Sequence, residues 1–200
     1  MACIFLDTVS PTLKVAIQSE SGIFSRMGGS QSGSKTLFRF IQELLAESNL
    51  SILEIESIYY NRGPGSFTGI KVGHVFSQGF GIFSPILVGS FTTFDLMEME
   101  AQYPSDATYL LYAYQNEYFL ARRQNGTWCF QVISVSELKS EDRPFYLGSE
   151  RYQLEYFQPL KGIEAEKLPR LKERGQLTEL ISPLYLKKST AEMKLKRMEE

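Results

Sequence analysis

Asn61-Arg-Gly-Pro-Gly-Ser-Phe-Thr-Gly-Ile-Lys-Val-Gly73 is the stretch that decides how this chain folds. Before it, Ile55 to Tyr60 alternates apolar and polar residues in a β-branched and aromatic setting, which predicts a strand. After it, Ile70 to Phe83 has no proline and only short polar interruptions, which predicts a helix. Gly63 and Gly65 permit positive φ or close backbone approach, and Pro64 fixes φ between them. Ser66 or Thr68 can accept a hydrogen bond from the orphan N–H groups of the first helical turn. The expected unit is therefore strand, tight loop, helix N-terminus.

Such a corner gathers unpaired N–H groups and the positive end of a helix dipole, the usual basis of anion binding. The known phosphate-loop spacings do not fit. A P-loop has Lys directly after its second glycine, four residues from the first. Here five residues separate Gly63 from Gly69, and Ile70 precedes Lys71. The dinucleotide pattern fails too, because its third glycine comes one residue late. On chemistry alone, a closely packed strand-to-helix corner is favoured over a phosphate site.

Read as a whole, Gly63-Pro-Gly-Ser-Phe-Thr-Gly69 and the Ile-Lys-Val-Gly after it resemble the TsaB (YeaZ) family. The resemblance implies a bacterial partner of the enzyme that installs threonylcarbamoyl on the adenosine beside the tRNA anticodon. It also implies an α/β, actin-like ATPase (ribonuclease H-like, ASKHA) fold with a mixed sheet and a reduced second lobe.

Composition bounds the alternatives. The chain has 200 residues, 43% hydrophobic and 22% charged, with net charge -2, ordinary values for a globular protein. No global basic field would draw it onto RNA or membrane. Cys3 and Cys129 stand far apart with no partner motif, which argues against a disulfide framework or thiolate cage. Neither an export signal nor an apolar run of about 18 residues is evident, so the expectation is a cytoplasmic protein outside the membrane. His74 is the single histidine, so a site of paired imidazoles cannot be built from this chain alone. The enzymatic relatives of the family bind metal through such a pair, so no metal is expected, and no cofactor. By spacing, Lys71, His74 and Gln78 form a polar stripe expected to face solvent.

Ala2 to Asp7 reads as a buried first strand that delivers Asp7 into a turn at Thr8-Val-Ser-Pro. Leu13–Gln18 and Gly22–Met27 are the next strands. The residues alone suggest an Asx-type turn at Asp7. The resemblance adds a second option, because this strand–Asp-Thr–strand opening is similar to the first phosphate hairpin of actin-like ATPases. Asp7, Thr8, Gly63, Gly65 and Ser66 are accordingly the candidate nucleotide-binding residues. A Ser/Gly-rich loop follows, with Gln31 and Ser32 where the family usually has a His-Ser pair. Ser34 can cap a helix to about Ser48 whose apolar stripe is Leu37, Phe40, Ile41, Leu44 and Leu45, with Phe38 off it.

The helix after the glycine loop is apolar over most of its circumference, through Val72, Val75, Phe76, Phe80, Ile82 and Phe83. A sheet covers only one face, and Gly69 and Gly73 would let a second helix approach. Either the second half of the chain covers the rest, or a partner does. The resemblance implies a partner, docked on this helix and the Ser34 helix. The candidate interface is Leu37, Phe38, Ile41, Leu45, Gly69, Val72, Gly73, Phe76, Phe80 and Phe83.

Ser84–Ser90 and Phe91–Gln102 read as strand and helix, and Tyr103-Pro-Ser-Asp106 as a break. Residues 1–103 are the expected first lobe and 104–200 the second. Ala107–Ala113, Glu117–Arg123 and Thr127–Ile133 predict a three-stranded meander. Its first turn carries Tyr114-Gln115-Asn116 where the family usually has Asp-Ala-Arg, which weakens any nucleotide role there. After Ser134 the pattern fades. Phe145–Gly148 suggests a short strand, and Pro183-Leu-Tyr-Leu-Lys187 resembles the family's closing motif with Lys in place of Arg. Lys187–Glu200 carries mixed charge and predicts a solvated terminal helix.

The implied function is non-catalytic: binding and activating a TsaD-type threonylcarbamoyltransferase. The implied company is a TsaE-type P-loop ATPase, tRNA only through the complex, and a homodimer when the main partner is absent. The alternative is a nucleotide-binding hydrolase or transferase of the same fold, under the older label glycoprotease. Peptide hydrolysis would need an activated nucleophile or a metal, and no serine or cysteine has an evident base beside it.

Overall fold

The computed structural model describes residues 1–30, 34–83, 86–101, 107–114, 116–139, 143–148, 154–179 and 181–186. Contacts divide the chain into two units. One comprises Met1–Tyr103 with Leu160–Leu184, the other Pro104–Pro159 with Tyr185–Glu200.

The first unit is built on a sheet of β1 (Ala2–Asp7), β2 (Thr12–Ser19), β3 (Gly22–Ser30), β4 (Ile55–Asn61) and β5 (Leu87–Phe91). The order is β3-β2-β1-β4-β5. β1, β2 and β3 pair antiparallel in sequence, whereas β1–β4 and β4–β5 pair parallel, so the sheet is mixed. The central strand β1 is buried along its whole length, as its unbroken apolar run predicts. Its alternate residues serve two cores. Ile4 and Leu6 pack with Leu37, Phe40, Ile41 and Leu44 of α1 (Ser34–Glu47) and Phe76 of α2 (Phe67–Phe83). Cys3 and Phe5 pack with Leu96 and Met99 of α3 (Thr93–Ala101) and with Ile163, Leu168 and Leu171 from the returning segment. Leu171 lies on α4 (Arg170–Glu173). A capping box starts α3: Thr92 Oγ1 accepts from Asp95 N at 3.1 Å, and Asp95 Oδ2 accepts from Thr92 N at 2.7 Å.

The second unit is a sheet ordered β10-β9-β6-β7-β8. Its strands are β6 (Thr108–Tyr114), β7 (Glu117–Gln124), β8 (Thr127–Ser134), β9 (Phe145–Leu147) and β10 (Gln158–Pro159). β6–β7–β8 is the predicted antiparallel meander, and β9 adds parallel to β6. Asn125 and Gly126 both take positive φ, as a two-residue hairpin turn needs. Leu110, Tyr118, Leu120, Tyr146 and Phe157 form its core.

The elements match the expected ones to within a few residues at most ends. The glycine-loop helix starts at Phe67, one residue after the expected cap Ser66, and β3 continues to Ser30 rather than ending at Met27. The readings of Gln31, Ser32, Ser84, Gln115 and the tail Lys187–Glu200 lie outside the described residues.

Candidate functional site

Two features of the first unit meet at α2: the corner where β1 and β4 end, and the outward face of the helix itself.

At the corner, Ser66 caps α2. Its Oγ accepts from Gly69 N at 3.1 Å, and its carbonyl accepts from Ile70 N at 2.8 Å. The glycines are there for closeness. A Cβ on Gly69 would lie 2.0 Å from the Thr8 carbonyl oxygen, and one on Gly73 would lie 2.6 Å from Thr8 Oγ1. At Gly65 it would strike Val9 at 2.5 Å. Thr8 Oγ1 donates to the Gly69 carbonyl at 2.7 Å, closing the contact. The close approach permitted by Gly69 and Gly73 is thus taken by Thr8 of the same chain, not by a second helix. Asn61 joins the corner to β1: its Nδ2 donates to Asp7 Oδ1 at 3.0 Å, and its Oδ1 accepts from Gly63 N at 2.9 Å.

Asp7 is fully buried. Its Oδ1 also accepts from Val9 N at 3.2 Å and Ser10 N at 3.0 Å, the expected Asx-type turn. Its Oδ2 accepts from Lys14 Nζ at 2.7 Å, and Lys14 is itself buried. Burial alone would push this carboxyl up. The Lys14 ammonium and the bonds from Lys14 and Ser10 outweigh it and hold Asp7 below the usual carboxylate range. The carboxylate is ionised, neutralised and saturated with donors from its own chain. Among the described residues no group of three His, Cys, Asp or Glu side chains could hold a metal.

The outward face of α2 is different. Val75 is 68% exposed and Ile82 79%, and on α1 Phe38 is 55% exposed. Phe38 meets the buried Phe76 edge-on at 5.5 Å between ring centroids, which packs α1 against α2. The other interface candidates sit deeper. Leu37, Ile41 and Phe76 are buried in the core, and Leu45, Val72 and Phe80 are partly buried against it. The side chain of Phe83 lies outside the described residues. Val75 and Ile82, named among the helix's apolar residues but not among the interface candidates, follow Lys71 along one helical stripe of exposed positions.

The polar stripe needs correction. Lys71 is exposed, but His74 and Gln78 are half-buried. His74 Nδ1 lies 2.8 Å from the Tyr60 hydroxyl, which also donates to the Ile181 carbonyl. Sequence spacing could not reveal this, because Ile181 is 121 residues from Tyr60.

Comparison with known proteins agrees with this architecture. Residues 13–86 match the family model described as TsaD, tRNA N6-adenosine threonylcarbamoyltransferase. A relative from Escherichia coli (strain K12), the tRNA threonylcarbamoyladenosine biosynthesis protein TsaB, is 26% identical over 137 residues. That match covers 64% of this chain and 58% of the relative. The protein of the same name from Haemophilus influenzae is 40% identical over 55 residues, covering 26% of this chain and 23% of the relative. Two solved structures from Pseudomonas aeruginosa superpose over nearly the whole chain. YeaZ gives a TM-score of 0.70 at 19% identity, covering 92% of this chain and 99% of that one. An uncharacterized protein with similarity to peptidase YEAZ gives 0.72 at 19%, covering 93% and 99%. Over these spans the chain is similar to TsaB and YeaZ proteins. Its fold is the mixed α/β fold of those two structures. The chain spans a little over half of the Escherichia coli relative and about a quarter of the Haemophilus one. Among its described residues no helix is long and apolar enough to cross a membrane.

Proposed function

We propose that this chain is a non-catalytic subunit of tRNA threonylcarbamoyladenosine biosynthesis, and that it binds and activates a TsaD-type threonylcarbamoyltransferase. The observation that carries the reading is the exposed apolar surface of α1 and α2, where Val75, Ile82 and Phe38 stand in solvent. Lys35, Arg39 and Glu43 of α1 and Lys71 of α2 are exposed on the same two helices, the charged rim that a docking surface commonly carries. The names of the relatives supply the pathway. Holding two helices of the transferase subunit against this surface is a role that requires no reacting group on this chain.

The same reading brings in a TsaE-type P-loop ATPase as a third component, with tRNA reaching this chain only through the complex. It also implies a homodimer through the same face when the transferase subunit is absent, and a place in the cytoplasm, where tRNA is modified. Against the nucleotide-hydrolase alternative stands Asp7, whose carboxylate already has Lys14, Asn61 and two backbone N–H groups as donors.

Light-scattering chromatography of this chain with the TsaD-type subunit of its own organism tests the proposal. A heterodimer is expected. Val75→Glu and Ile82→Glu should each weaken it roughly a hundredfold, the scale of a charge forced into an apolar interface core. Leu53→Glu, at an exposed apolar residue outside these helices, should leave it intact. Full-strength binding by both helix variants would remove the surface from consideration. Magnesium-dependent nucleotide binding lost in Asp7→Ala would replace the scaffold reading with the enzymatic one.

A further inference from the structure

The segment Ile181–Leu184 lies across the end of β4 as a strap. Leu184 N donates to the Arg62 carbonyl at 2.8 Å, and Arg62 Nη1 donates to the Ser182 carbonyl at 3.3 Å. The Ile181 side chain packs against the core that contains Tyr60 and Phe76. Between strap and helix stands the phenol of Tyr60, a fully buried residue.

A phenol has one proton to give, and a backbone carbonyl can only accept. The Tyr60 hydroxyl donates to the Ile181 carbonyl, so its proton is committed there. His74 Nδ1 lies 2.8 Å from the same oxygen. With the phenol proton used, that contact is a hydrogen bond only if the imidazole donates from Nδ1.

We propose that His74, Tyr60 and the Ile181 carbonyl form a directional latch, His74 Nδ1–H to Tyr60 O and Tyr60 O–H to Ile181 O, that fastens the strap to α2. Direction gives the latch an asymmetry that a merely packed cluster would lack. Removing the phenol oxygen takes one hydrogen bond from the strap and one from the imidazole together. Removing the imidazole leaves the bond to the strap in place. That the strap thereby supports a docking helix rests on the functional reading above; the latch itself does not.

The single histidine makes the test direct, because this chain gives one pair of imidazole nitrogen resonances. Nitrogen-15 NMR of the wild type should find the proton on Nδ1, and Tyr60→Phe should shift the population toward Nε2. Amide hydrogen exchange reads the strap. In Tyr60→Phe the Leu184 amide should exchange roughly tenfold faster, the scale of one buried hydrogen bond, while β1 amides keep their protection. In His74→Leu the Leu184 rate should change less than about twofold, since the bond to the carbonyl survives. A wild-type proton on Nε2, or equal acceleration in both variants, would overturn the latch. Heterodimer formation is scored separately: a chain that never binds the transferase subunit yet passes these tests removes the docking reading and keeps the latch.

Discussion

Asp7 and Lys14 face each other across the β1–β2 hairpin as direct register partners, both out of solvent. Removing one member of such a pair strands the other in a medium that solvates it poorly. Asp7→Asn should therefore cost about 3–5 kcal/mol at neutral pH, measured by urea denaturation. The pH dependence has a definite sign. The folded protein holds the Asp7 carboxyl below its unfolded value of 3.8, so folding favours the ionised form. Its contribution is complete above that value and disappears as pH falls through the lower, folded one. Wild type should lose more stability than Asp7→Asn between about pH 5 and about pH 2, and parallel acid limbs would show that the pair contributes nothing. The Asx turn at Asp7 was legible in sequence, because Asp-Thr-Val-Ser after an apolar run has few other uses. Its partner was not. Lys14 reads as the polar position of an alternating strand until the hairpin register is known, and only that register places it opposite Asp7.

Glycines in α2 illustrate how an element's neighbours decide what its residues are for. Gly69 and Gly79 look alike in sequence, both within an apolar helix. The structure separates them: a Cβ at Gly69 collides with the Thr8 carbonyl oxygen, whereas one at Gly79 would meet nothing within 4 Å. Gly79→Ala should accordingly stabilise the protein by up to about 1 kcal/mol, the helix-propensity difference. Gly69→Ala should destabilise it by at least about 2 kcal/mol, because the object in the way is backbone and α2 must move off β1. Thermal unfolding of the two variants checks this, and equal shifts would remove the close-packing account of the glycine loop. The corner as strand, loop and helix was fully legible, as was Ser66 or Thr68 as its cap. The helix begins at Phe67, directly after Ser66, as a Ser66 cap requires. The polar stripe was misread. Spacing places Lys71, His74 and Gln78 on one side of a helix but does not say whether water or Tyr60 waits there.

At the scale of the molecule, the part that escaped sequence reading is the return of the chain. Residues 160–184 carry no strong periodicity, and their described residues form short helical turns, the four-residue α4 and a β-bridge at Thr178. Yet Ile163, Leu168 and Leu171 are buried against Cys3, Phe5, Tyr59 and Phe91 on the second face of the first sheet. Helices α1 and α2 cover the other face, and α3 supplies Leu96 and Met99 to this one. A β1 that is apolar on both faces implied a second cover without saying where in the chain it lay. That cover has an energetic consequence. Leu168→Ala and Leu171→Ala should each cost about 2–5 kcal/mol, the range for truncating a fully buried leucine, although both sit in a segment rich in charge. A fragment ending at residue 103 keeps every strand of the first sheet but exposes the second core. It should therefore lack a cooperative urea transition, because the apolar area left in water exceeds what a small domain's margin can absorb. A fragment that unfolds cooperatively with wild-type stability would mean that the returning segment only decorates a self-sufficient lobe.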